Sequence, residues 1–137
     1  MYCKLEVGSR NYVSYDRVNT SELSKIVEIK FEDLKGNQFE EAVRKVDWNT
    51  LTKLKKIHGI NSAFDSYRFP RNSLPKLEEI EFTRCNLNSE TLTSLLNAVP
   101  DIDSKENFIF KWDPYSSFMY ADFLEGSEDE LELAAFE

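Results

Sequence analysis

Histidine is nearly absent from this chain, and histidine-based acid–base chemistry goes largely with it: His58, in LKKIHGI, is the only one among 137 residues. A hydrolase triad or a histidine-based metal site would have to use that one ring, and no nucleophile elbow stands near it. The two cysteines, Cys3 and Cys85, are too far apart in sequence for a CxxC zinc pair and too few for a disulfide framework, so both are expected as reduced thiols. Four scattered glycines, Gly8, Gly36, Gly59 and Gly126, form neither GxGxxG nor GxxxxGK[ST], which leaves no cradle for a nucleotide phosphate. No metal and no cofactor is expected. No apolar run approaches the roughly 20 residues of a membrane span, and the first thirty residues lack the apolar core of a signal peptide. These absences predict a cytoplasmic protein without a membrane partner.

Basic residues are also in short supply. Seventeen Lys and Arg face twenty-five Asp and Glu, for a net charge of −8. Nucleic-acid binding needs cations to displace counterions from phosphates, so this balance argues against it and permits a basic protein partner. The excess is concentrated in residues 122–137, which hold Asp122, Glu125, Glu128, Asp129, Glu130, Glu132 and Glu137 and no base, leaving about −1 for residues 1–121. The expected organisation is one domain over 1–121 followed by an acidic tail over 122–137. GSEDELE is too poor in apolar side chains to offset its ordering entropy, so the tail either solubilises the chain or meets a basic partner.

What is present is a core and a pattern. Apolar residues make up 41% of the chain, enough for one domain. The stretch LPKLEEIEFTRCNLNSETLTSLL spaces Leu74, Leu77, Ile80 and Phe82 by three and then by two, adds Cys85 and Leu87, and switches to helical spacing at Leu92, Leu95 and Leu96. The same leader recurs as Leu23, Ile26, Ile29 and Phe31, as Leu51, Leu54, Ile57 and Gly59, and more weakly as Ile102, Lys105, Phe108 and Phe110. The starts at 23, 51, 74 and 102 lie 28, 23 and 28 residues apart, and Leu5 and Val7 in KLEVG suggest a further leading strand. In physical terms the chain approaches the core, runs as a short strand with alternate residues inward, and returns; each unit buries one face and needs the next to complete it. The returns differ. Phe39, Ala42, Val43 and Val46 predict a helix with Asn37 as its cap, and Leu92, Leu95, Leu96 and Val99 predict another, started by Asn88 or Ser89 and stopped by Pro100. NSAFDSYRFPRNS, with Pro70, predicts a loop or one short turn.

The pattern LxxLxxIxFxxCxL followed by a helix resembles the leucine-rich repeat family, in its short cysteine-type or ribonuclease-inhibitor-like form, over about residues 23–112. Leu34 and Ser62 depart from it where Asn or Cys is usual, and Lys105 stands at an apolar position. The resemblance implies an α/β fold: a short solenoid with a mainly parallel sheet and helices on the opposite face. The alternative is an ordinary α/β domain of similar spacing. Outward-facing strand residues would line the open sheet surface: Glu28, Lys30 and Glu32; Lys56 and His58; Glu79, Glu81 and Thr83; Asn107, Ile109 and Lys111. With Trp112 from the aromatic run KWDPYSSFMYADF, which either caps the solenoid or binds a partner, they form the candidate partner-binding set. The resemblance implies a non-enzymatic protein-binding module, and in its sharper form a cytosolic inhibitor or immunity protein that neutralises a basic toxin such as a nuclease. The alternative function is a small enzyme with a dispersed site around His58.

Overall fold

The computed structural model describes residues 1–6, 12–35, 37–64 and 67–118. The acidic tail, Met119, Tyr120 and Phe123 at the end of the aromatic run, and Val7 therefore lie outside the described residues. Six strands form the main sheet: β1 (Tyr2–Leu5), β2 (Val13–Ser14), β3 (Ile26–Glu32), β4 (Lys56–Ile60), β6 (Glu79–Thr83) and β8 (Ile109–Trp112), in the spatial order β2-β1-β3-β4-β6-β8. From β3 onward all pairings are parallel and follow chain order. The fold is thus mixed α/β with a mostly parallel sheet. The leading strand departs from the expectation: β1 pairs antiparallel with both β2 and β3. Seven residues separate β1 from β2, enough for a hairpin but short of the dozen or so that a parallel crossover requires.

Register explains the spacing seen in the sequence. Ile29, Ile57, Ile80 and Phe110 stand side by side across four strands, as do Phe31, Gly59, Phe82 and Trp112. The fourth unit is therefore displaced by two positions from its expected alignment, with Phe110 rather than Phe108 opposite Ile80. Lys105 stands in the approach to that strand. It occupies the expected apolar position but donates its ammonium to the carbonyls of Pro75 (2.9 Å) and Leu77 (3.4 Å), so the approach to β8 is tied down by polar contacts. In the better-formed units the leaders Ile26, Leu51, Leu54, Leu74 and Leu77 are all buried, and Leu23 is half-buried.

Each long strand turns in the same way. Asp33, Asn61 and Arg84 all have positive φ, at 57°, 46° and 54°, two residues beyond Phe31, Gly59 and Phe82. Asp and Asn tolerate this left-handed conformation better than most side chains. Two-residue strands follow: β5 (Ala63–Phe64), β7 (Asn86–Leu87) and β9 (Ser117–Phe118) pair in parallel as a second sheet. Between the sheets runs a ladder of polar side chains. The Leu34 N–H donates to Ser62 Oγ (3.1 Å), the Ser62 backbone hydrogen-bonds the Cys85 sulfur, and the Cys85 N–H donates to Ser116 Oγ (3.0 Å). Ser62 and Cys85 are 2% and 0% exposed, so these bonds satisfy backbone groups that water cannot reach. Ser62→Ala should leave the Leu34 N–H without its acceptor and cost about 1–3 kcal/mol, with Ser62→Cys milder, as read from urea unfolding.

Two helices carry the chain back. α1 (Asn37–Arg44) buries Phe39 and Val43, and the Phe39 ring packs against Phe31 and Phe64. Asn37 is its first residue rather than its cap. α2 (Ser89–Asn97) is capped by Asn88, whose side chain accepts from the N–H groups of Glu90 and Thr91. It buries Leu92 and Leu95 and leaves Leu96 half-buried. The return between β5 and β6 has no helix among its described residues. Its backbone instead donates to hydroxyls of α2, from Tyr67 to Thr91 Oγ1 and from Phe69 to Ser94 Oγ, while Trp48 packs edge-on against Phe69 and donates Nε1–H to the Tyr67 hydroxyl.

Candidate functional site

Strand alternation sends Ile29, Ile57, Ile80 and Phe110 into the core and the intervening residues to the other side of the sheet. Those side chains form three rows. Glu28, Lys56, Glu79 and Ile109 are aligned in the first, Lys30, His58, Glu81 and Lys111 in the second, and Glu32, Ile60 and Thr83 in the third. With Asn107 just ahead of the last strand and outside the rows, ten of the twelve expected partner-binding residues fall on one surface. Trp112 does not. It lies in register with Phe82 and packs edge-on against Phe110 (5.3 Å between centroids), on the other side of the strand.

Charges alternate across the rows because parallel neighbours sit close enough for like charges to repel. Lys56 lies 3.1 Å from both Glu79 and Glu81. Burial pulls its ammonium down, but the two carboxylates outweigh this and raise its pKa. Glu81 uses both oxygens, Oε1 on Lys56 and Oε2 at 3.9 Å from His58 Nε2. Burial pushes the Glu81 carboxyl up, yet the Lys56 hydrogen bond and the charges around it hold it below its ordinary value. His58 is only 17% exposed at its side chain, and burial lowers its pKa despite the pull of Glu81.

Tyr12 completes the surface and was not legible as part of it. Its hydroxyl donates to Glu28 Oε2, and its ring lies 4.0 Å from the Lys30 ammonium. Burial and the bond to Glu28 push this phenol up to about 12. The contact crosses 16 residues of chain, and no spacing in the sequence announces it. At the other end, Glu106, Asn107, Phe108, Ile109 and Lys111 line a recess of about 340 Å³.

Thr83, His58 and Glu81 have the residue types of a hydroxyl–imidazole–carboxylate triad, but their geometry differs from one. A relay places the nucleophile on one ring nitrogen and the orienting acid on the other. Here Thr83 Oγ1 (3.2 Å) and Glu81 Oε2 both approach Nε2. The cysteines offer no nucleophile either, since burial raises both thiols, Cys3 to about 12. Among the described residues no group of three or more His, Cys, Asp or Glu could hold a metal ion, and no helix is long and apolar enough to cross a membrane. No family model, no curated protein and no solved structure matches this chain.

Proposed function

We propose that this chain is a non-enzymatic protein-binding module, built as a short leucine-rich-repeat-like solenoid whose polar sheet face is its docking surface. Support for the solenoid comes from what repeats along the chain: strands in one register, a left-handed residue directly after β3, β4 and β6, and a side-chain ladder joining successive turns. A stack of this kind holds its outward side chains in fixed rows, so a partner meets a pre-formed surface and little ordering entropy is lost on docking. The observation that carries the function is the three-row face itself, with Lys56, Glu79 and Glu81 already locked by mutual ion pairs. The recess beside Ile109 and Lys111 gives a partner side chain a place to anchor.

The sharper form is an inhibitor or immunity protein acting in the cytosol on a basic toxin such as a nuclease. The net charge of −8 favours a basic partner. Seven of those acids lie in residues 122–137, whereas the face sets four carboxylates against three ammoniums, so steering is assigned to the tail and recognition to the face. The test is affinity capture from native lysate with the wild-type chain beside an Ile109→Asp/Lys111→Glu variant. Both positions face outward on the last strand of the sheet, and circular dichroism should show an unchanged fold. A captured protein that the variant loses is the expected result; equal capture by both would remove the face from the reading.

A further inference from the structure

We propose that His58 is a proton-operated charge switch for the polar face, cancelling the single negative charge by which its acids exceed its bases. The inference goes beyond docking, and rests on the docking proposal only for its biological consequence. Every element packed beside the ring contributes a charged or polar group. β3 brings Glu28, Lys30 and Glu32, β4 itself Lys56, β6 Glu79, Glu81 and Thr83, and β8 Lys111 next to Glu81, while the neutral Tyr12 ring lies over Lys30. Four carboxylates outnumber three ammoniums by one while the imidazole is neutral. Protonation adds one positive charge at the centre of the middle row.

The geometry prepares both states. In the neutral ring Nε2 can accept the Thr83 hydroxyl, 3.2 Å away. In the imidazolium both nitrogens can only donate, so the Thr83 hydroxyl must turn and offer its lone pair instead. Glu81 needs little rearrangement, because Oε1 is already on Lys56 and Oε2 already lies 3.9 Å from Nε2. Its carboxylate is then shared between two cations, which weakens its hold on Lys56 and passes the change to Lys111 beyond it. Burial of the ring sets the pH of the change below the ordinary imidazole value of 6.5. A basic partner docked on the face would lose the attraction of its one net negative charge as the pH falls through that midpoint.

One histidine makes the test direct, and no partner is needed. The His58 ring resonance is followed by NMR against pH, together with the backbone amides of Glu81 and Lys111. The expected midpoint lies below 6.5, and both amides titrate with it and lose that response in His58→Asn. Glu81→Gln should lower the midpoint further by removing the carboxylate that favours the imidazolium, and Lys56→Met should raise it. A midpoint at or above 6.5, a midpoint unmoved by either variant, or amides indifferent to His58 would overturn the switch. If Glu81→Gln does not fold, the Lys56 variant decides alone. Failure here leaves the docking proposal standing, and failure of the capture experiment leaves the switch standing.

Discussion

Phe64→Ala should destabilise this protein by about 3–5 kcal/mol, a large fraction of the roughly 5–15 kcal/mol that holds a domain together. The Phe64 ring is 1% exposed and stands where three others meet, 5.4 Å from Phe31, 4.5 Å from Phe39 and 5.0 Å from Phe82 between centroids. It also accounts for Gly59, the one unit whose last inward position lacks an apolar side chain. A β-carbon at Gly59 would lie 2.5 Å from Phe64 Cε1, 2.7 Å from its Cζ and 3.1 Å from Phe82 Cδ1. The ring from the next short strand fills the space that Phe31 and Phe82 fill for themselves. Gly59→Ala should therefore cost about 1–3 kcal/mol by overpacking, although alanine is otherwise a mild change. In the double variant Gly59→Ala/Phe64→Leu the smaller side chain yields room, so the combined loss should be less than the sum of the single losses. Urea unfolding of the four proteins measures this. Additivity to within about 0.5 kcal/mol would mean that the ring and the glycine do not share one site.

The same positions show what a sequence can carry. Leucine and isoleucine at spacings of three and two specify inward positions locally, so the parallel order of β3, β4, β6 and β8 was legible along with both helices. The outward set followed from alternation alone, which requires no knowledge of contacts. Three features were not legible, each for a physical reason. The two-position shift of the last unit accompanies the bonds of the Lys105 ammonium to its carbonyl acceptors, a meeting across 28 to 30 residues. The antiparallel direction of β1 is set by pairing with β3, and KLEVG reads the same in either sense. Ser62 stood out as a departure from the usual Asn or Cys, yet its hydroxyl accepts from Leu34 N–H and donates to the Ile60 carbonyl at 2.8 Å. A hydroxyl small enough to be buried can make the bonds that an amide would make, and residue identity alone does not show it. On the face, the missing part was Tyr12, because an aromatic ring over a lysine is a long-range meeting of two unremarkable residues.

Reversing Glu79 and Glu81 to Lys should weaken the captured partner on the order of 100-fold, because close charge pairs across an interface carry coupling energies of about 1.5–7 kcal/mol. The double change is not a clean test by itself. It would leave Lys56 between two new ammoniums, with Lys111 in register beside the second, so the folded state loses two ion pairs and gains like-charge repulsion. Each lost pair is worth roughly 1 kcal/mol or less at this degree of exposure. A lower midpoint in urea is expected, most evident at low salt, where such charges are least screened. Adding Lys56→Glu restores the pairing with its polarity inverted: the new carboxylate lies between the two new ammoniums. The new carboxylate also stands in register beside Glu28, so that triple variant should recover part of the stability lost by the double variant and none of its binding. Calorimetry against the captured protein, alongside urea unfolding at two salt concentrations, separates the two effects. Binding that returns together with stability would show that the face acts only through the fold, and the docking surface would then have to lie elsewhere on the molecule.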